Sequence, residues 1–455
     1  MKLAFLSFLF ATSACFAQPG ALDLSFNPGS GTGGGETYVS AMCLMSNGEI
    51  LVAGEFTTFN GFPRHYVARL NSDGSLDQTF DPGTGPNNFP SVVVVQTNEM
   101  VLIAGQFQVV NGLYQPFVAR LRADGSLDPT FTNIANGGVY ALANLNNGGF
   151  LAAGSFTTVN GTTMHNVACF NANGSLDPSF SPGVISNNAG GSEDVHAIAV
   201  QPNGFVVIGG DFTSVGGQSC QCLARLNSSG AVDTTFVGPG SIGGASYPVI
   251  TSILLESNGQ MVVGGNFSSI NGYAELGVAR LNSDGTLDTS FRALPNGSGT
   301  APPLAVQSNG KILIGEYNST VLERLNTDGS QDTTLSVTLP GSFDLQALAV
   351  QTDGKILMAG GLFPAGNGTY LNSIARLLGD SASQAGVQLL NMNLYPGMFL
   401  SGSIGTKYRI EYTTSLIPPS LWTPLTNLTL TNSPTFVADP TLPQGSRFYR
   451  AVTLP

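Results

Sequence analysis

Apolar residues in this chain come in short runs, each closed by a turn rich in Gly, Asn or Asp, and no stretch repeats them at helical spacing. The first group reads Val39 to Met45, the turn Asn47-Gly48, Glu49 to Phe56, a loop around Asn60-Gly61, Tyr66 to Asn71, and Ser75 to Phe80 after a further turn. Four strands joined by Gly-containing turns predict an all-β chain. The second strand is apolar without alternation, as in Ile50-Leu-Val-Ala53 and Met261-Val-Val-Gly264, so both of its faces are expected to be buried.

The group then repeats. Ala68-Arg-Leu-Asn-Ser-Asp-Gly-Ser-Leu-Asp-Gln-Thr-Phe80 returns, lightly edited, at 119–131, 168–180, 224–236, 279–291 and 323–335. A glycine ending the second strand keeps the period at Gly54, Gly105, Gly154, Gly210, Gly265, Gly315 and Gly360, which makes seven units. The tail of the motif opens the chain as Ala21-Leu-Asp-Leu-Ser-Phe26, and its head reappears alone at Ala375-Arg-Leu377. A unit shared between the two ends is what a closed ring needs. Sheets stacked face to face around an axis also bury both faces of a strand. The expectation is a seven-bladed β-propeller of four-stranded blades over residues 18–379, closed by the N-terminal strand; an open solenoid would leave the split unit without a reason. Glycine at the end of the second strand is expected where backbones crowd.

The turn sets a register. With Ser72-Asp-Gly74 as a three-residue loop and Gly74 left-handed, Leu70 faces Leu76 and Arg69 faces Asp77. The same count pairs Arg120 with Asp128, Arg225 with Asp233, Arg280 with Asp288 and Arg324 with Asp332, and ring closure adds Arg376 with Asp23. The third unit has Cys169 opposite Asp177 instead. Read as exposed cross-strand pairs, these contribute about 0.2–1 kcal/mol each and set register more than they hold the ring.

The run Ala347-Leu-Ala-Val-Gln-Thr-Asp-Gly-Lys-Ile-Leu-Met-Ala-Gly360, with the Asn-Gly loops and the Ala-Arg-Leu-Asn motif, resembles the delta-60 repeat family of bacterial exported proteins over about residues 21–379. That resemblance implies a β-propeller without a defined enzymatic activity. The sixth unit departs from it at Gly315-Glu-Tyr317 with a shortened loop, and the seventh carries an extra residue in Gly360-Gly-Leu-Phe363. Beyond a small polar linker at 380–386, residues 387–455 read as a small β-sandwich-like domain, with strands at Lys407 to Thr413, Leu425 to Thr431 and Arg447 to Val452. This segment looks like a short terminal β domain of exported proteins from Verrucomicrobia and Planctomycetes, which implies sorting or surface attachment. Trp422, the only tryptophan, reads as a core aromatic before a carbohydrate-stacking one.

Residues 1–17 read as an export signal: Lys2, an apolar run from Leu3 to Phe10, and small residues before the cut. A secreted or surface-attached protein is therefore expected, with no transmembrane segment. Removing Lys2 takes the formal charge from −12 to −13, and so few basic residues argue against nucleic acid as a partner. Cys43 reads as buried in a strand, and Cys220-Gln-Cys222 stays open between free thiols and a local bridge. His65, His165 and His196 have no metal-site spacing, so neither metal nor cofactor is expected. Asn71-Ser-Asp-Gly-Ser-Leu-Asp77 lacks the glycine and terminal glutamate of a helix-flanked calcium loop and reads as a hairpin turn.

Function in a repeat frame sits where the frame varies. The residue after the second-strand glycine is Glu55, Gln106, Ser155, Asp211, Asn266 or Glu316, a candidate polar ring for a cation or a glycan near a central channel. The competing reading of these residues is polar strand ends facing water. No nucleophile elbow or phosphate loop is present, so no catalytic residue is named. The sequence favours a monomeric, non-enzymatic binding or scaffolding module for a glycan or a cell-surface protein. The alternative is a carbohydrate-active enzyme, a glycoside hydrolase or lyase using the central channel.

Overall fold

The computed structural model describes residues 19–34, 37–188, 190, 192–244, 247–293, 303–315, 322–335, 337, 344–361, 363–364, 370–371, 373–380, 397–400, 405–413, 422–429, 431, 435–438 and 448–454. The expected export signal and Glu316 lie outside them. The described residues are all-β, and no helix among them is long and apolar enough to cross a membrane. The chain divides into two compact units, Met1–Ala382 and Ser383–Pro455.

In the first unit each repeat makes a three-stranded antiparallel sheet, first seen as Tyr38–Leu44, Ile50–Glu55 and Val67–Leu70 in that order. The middle strand is buried along Ile50 to Gly54, as its unbroken apolar run requires. Counterparts of the first strand are Pro90–Val95, Val139–Asn144, Val195–Val200, Val249–Leu255, Leu304–Val306 and Leu345–Val350, which gives seven such sheets among the described residues. Each of these strands packs against its counterpart in the next sheet, and Leu345–Val350 packs against Tyr38–Leu44. The cores are accordingly shared between sheets. One cluster joins Val39, Val52 and Phe56 of the first repeat to Leu357, Ala359 and Ile374 of the last, with Phe26 from the N-terminal segment.

Among the described residues the expected fourth strand is absent. Leu70 forms a single bridge to Leu76, and the chain then turns away because Asp77 Oδ1 accepts the Thr79 N–H at 2.9 Å and its hydroxyl at 2.7 Å. Ser75 to Phe80 is therefore a bridge and an Asx turn rather than a strand. The N-terminal segment behaves in the same way, with Leu22 bridging Leu377 and Asp23 Oδ1 holding Ser25.

Six of the seven repeat-marking glycines sit where the backbone crowds, and the crowding comes from inside the sheet; Gly315 instead meets the side chains of Leu345 and Pro303. The inner strand carries a β-bulge between Val39 and Ala41, so the Tyr38 carbonyl lies where a Cβ on Gly54 would be. Gly154, Gly210, Gly265 and Gly360 face the same obstacle from Gly138, Asp194, Val249 and Asp344. Between middle and outer strands the chain makes a short hairpin, Thr58–Phe59 with Phe62–Pro63, whose Asn60 and Gly61 both have positive φ (51° and 75°). Asn60 Oδ1 also accepts the Gly31 N–H at 2.9 Å, fastening the segment that precedes the sheet.

The second unit pairs Gly397–Leu400 with Thr435–Ala438 and places Lys407–Thr413 between Thr423–Thr429 and Phe448–Thr453. Trp422 is half-buried with the Arg450 guanidinium 4.2 Å above its ring, and Arg450 and Arg409 both bind Glu411 at 2.8 Å. It packs as one face of a cation–π pair.

Candidate functional site

The six motif arginines are occupied by the frame. In all six pairs Nε donates to the facing carboxylate at 2.7–2.8 Å: Arg69 to Asp77, Arg120 to Asp128, Arg225 to Asp233, Arg280 to Asp288, Arg324 to Asp332 and Arg376 to Asp23. They are not the exposed pairs expected from the hairpin count: Arg324 is 1% exposed, Asp128 2% and Arg376 5%. The cause lies a repeat away. Nη1 of Arg69 donates to the Ala123 carbonyl at 2.8 Å, of Arg225 to Ser283 at 2.7 Å, of Arg280 to Thr327 at 2.6 Å and of Arg376 to Ser72 at 2.6 Å, each time in the turn of a neighbouring repeat. The phenylalanine ending the motif covers the guanidinium, as Phe80 does for Arg69 at 5.1 Å and Phe26 for Arg376 at 4.7 Å.

Burial alone would raise these carboxyls, but hydrogen bonds from the following Ser or Thr and from the arginine outweigh it, holding Asp23 and Asp288 down to about 2. Cys169, which replaces the third arginine, is a buried free thiol pushed up to about 11 by burial and by the charge of Asp177. Cys220 and Cys222 are free thiols as well, and Cys43 is half-buried rather than buried.

The positions that vary gather where the inner strands begin. Glu55 ends its strand opposite Tyr38, and Asn266 ends its own opposite Val249; Gln106 and Asp211 follow Gly105 and Gly210. The bulges add residues that were not foreseen. Each inserts one side chain beside this row, namely Ser40, Ser91, Tyr140, His196, Thr251 and Gln346. The repeat glycine was the available signal in every sheet but the sixth, since it pairs with the residue just before the inserted one, as Gly54 does with Val39 and Gly210 with Val195; Gly315 pairs only with Leu322 of its outer strand.

These side chains meet across neighbouring sheets. Tyr140 and His196 stack at 5.3 Å with an interplanar angle of 10°, and the Tyr140 hydroxyl donates to Ser155 Oγ at 3.1 Å. Tyr38 meets Phe89 edge-on at 5.5 Å, and Ser40 Oγ donates to the Pro90 carbonyl at 2.7 Å. Asp211 accepts the Ser192 hydroxyl through Oδ2, while its Oδ1 is buried without a hydrogen-bond partner. Burial, then the Asp211 charge, push the neighbouring Asp194 carboxyl up from its ordinary value against the pull of His196. The arrangement offers aromatic faces, hydroxyls and carboxylates at one end of the inner strands. Among the described residues no group of three His, Cys, Asp or Glu has the geometry to hold a metal ion.

The model of the domain-of-unknown-function DUF5122 β-propeller matches residues 46–80, 96–131, 145–180, 201–236, 256–291 and 307–335. No curated protein matches the sequence. Among solved structures the chain is similar to virginiamycin B lyase from Staphylococcus aureus, at 11% identity and a TM-score of 0.50 over 77% of this chain and 97% of that one. A streptogramin B lyase aligns at 13% identity and a TM-score of 0.45 over 78% and 95% of the two chains. YCF48 from Cyanidioschyzon merolae aligns at 12% and 0.45 over 76% and 96%. At such identities a likeness speaks for fold and nothing more. Together, the repeated sheets and the six matched stretches support a β-propeller repeat family.

Proposed function

We propose that the first unit is a seven-bladed propeller of the delta-60 type, exported from the cell, that binds a surface glycan through the side chains gathered where its inner strands begin. The Arg376–Asp23 pair and the packing of the last inner strand on the first support closure of the ring. One observation carries the ligand reading: the bulges turn Tyr140 and His196 into a stacked pair beside Ser155, with Gln106 lying against Gly138 at the start of the same strand. Aromatic faces with hydroxyl and amide groups at their edge suit a sugar ring and its hydroxyls. The second unit is proposed to serve attachment or sorting, and the protein to act as a monomeric module without a cofactor.

Glycan-array binding by the purified chain is the test. Tyr140→Ala and His196→Ala are each expected to weaken binding at least tenfold, while Arg122→Ala, on an exposed turn, leaves it unchanged. Equal binding by all three variants would sink the proposal. The enzyme reading draws on a separate observation, the raised Asp194 carboxyl beside Asp211. It requires turnover of a bound glycan that Asp194→Asn abolishes.

A further inference from the structure

Glu275 is 2% exposed, and its Oε2 has no hydrogen-bond partner. Its place in the repeat explains what it replaces. It stands three residues before the outer strand Val278–Leu281, as Gln115 stands before Val118–Leu121. Their backbones are held alike, the Gln115 N–H by the Gln108 carbonyl at 2.9 Å and the Glu275 N–H by Ser268 at 3.1 Å. In the second repeat the Gln115 Nε2 donates to the carbonyl of Phe131 at 3.0 Å, and Phe131 is the buried phenylalanine that ends the motif. Phe291 is its counterpart, also buried.

A carboxylate has no hydrogen to donate there. A carboxylic acid has one. The charged group acting on Glu275 is Arg292, which draws the carboxyl toward its ionised form. We infer that Glu275 is a proton switch: protonated, it donates to the Phe291 carbonyl as Gln115 does to Phe131; ionised, it is a buried charge without a donor and releases the adjoining hairpin. That hairpin is Ser269–Ile270 with Tyr273–Ala274; it carries the exposed Tyr273, and the exposed Leu276 follows it.

Burial pushes the carboxyl up to about 7 against the pull of Arg292, so the switch operates within the ordinary pH range. A carboxyl raised in the folded state does not disfavour that state below its unfolded value of about 4.5. The opening equilibrium then rises with pH and levels off above about 7. Between pH 5.5 and 8.5 this linkage amounts to about a thirtyfold increase in local opening.

Hydrogen exchange on the full chain at the two pH values, corrected for intrinsic rates, tests it at residues 269–278. The native protein is expected to lose about thirtyfold in protection there, and Glu275→Gln to lose none. Should Glu275→Gln fold poorly, Gln115→Glu supplies the converse: a pH-dependent loosening installed at 109–118. Identical pH dependence in the native chain and Glu275→Gln, or no new dependence in Gln115→Glu, overturns the inference.

Discussion

Replacing Arg376 with alanine would test whether the two ends of the first unit are fastened as the contacts suggest. This guanidinium donates Nε to Asp23 at 2.8 Å, Nη1 to the Ser72 carbonyl at 2.6 Å and Nη2 to Ser25 Oγ at 3.3 Å, and Phe26 covers it at 4.7 Å. It therefore touches the first residues of the fold, the last repeat and the turn of the first repeat. Truncation leaves Asp23, 6% exposed, without its main cation and strips the Ser72 carbonyl. Breaking a buried pair from one side costs about 3–5 kcal/mol, because the remaining charge stays buried. Lys355 Nζ, 3.4 Å from Asp23, offsets part of that loss and places the expectation near the lower bound, about 3 kcal/mol. The only tryptophan, Trp422, lies in the other unit, so its fluorescence would report the wrong transition. Calorimetry, with hydrogen exchange at residues 20–26, reads the right one. A cost below about 1 kcal/mol, as for an exposed pair, with unchanged protection at 20–26, would refute the argument.

Three further outcomes follow from the same frame. Asp23 and Asp288, held down to about 2, contribute stability that is fully present above about pH 4 and is lost as pH falls toward 2, about 2 kcal/mol each; circular dichroism against pH should place acid unfolding below pH 4, and unfolding complete by pH 5 would contradict it. Gly54→Ala drives a Cβ into the Tyr38 carbonyl and should cost at least about 2 kcal/mol in urea titration, whereas Gly61→Ala, in open space, costs only the strain of its positive φ; equal costs would remove the bulge as the reason for the glycine. Cys169→Arg restores the missing guanidinium opposite Asp177 and should raise the melting temperature by a few degrees, while a fall would mean that the third repeat has repacked around the thiol.

How much could be read from the chain divides along a physical line. Hairpin register depends only on the turn, so counting from Gly74 places Leu70 against Leu76, where the bridge is found. The buried middle strands followed from their apolar runs alone. What escaped depended on backbone hydrogen bonds or on residues a repeat away. The fourth strand was expected from the pattern Ser75 to Phe80, yet the Asp77 side chain takes the Thr79 N–H and turns the chain aside. Arg69 looked exposed because the Ala123 carbonyl that helps bury it lies 54 positions on.

The site divides in the same manner. Glu55, Gln106, Asp211 and Asn266 were visible as variable positions after a constant glycine, and they do lie at one end of the sheets. Tyr140 and His196 were not, although the same glycine announces the bulge that presents them. The two facts share a cause: glycine is required where the inner strand takes an extra residue, and that extra residue has no partner across the ladder to constrain its side chain. Constancy of the glycine therefore permits variation beside it. A repeat that must keep Gly54 for its backbone leaves Ser40 free to be Tyr140 in one sheet and His196 in the next, and there the two rings can stack across the boundary between sheets.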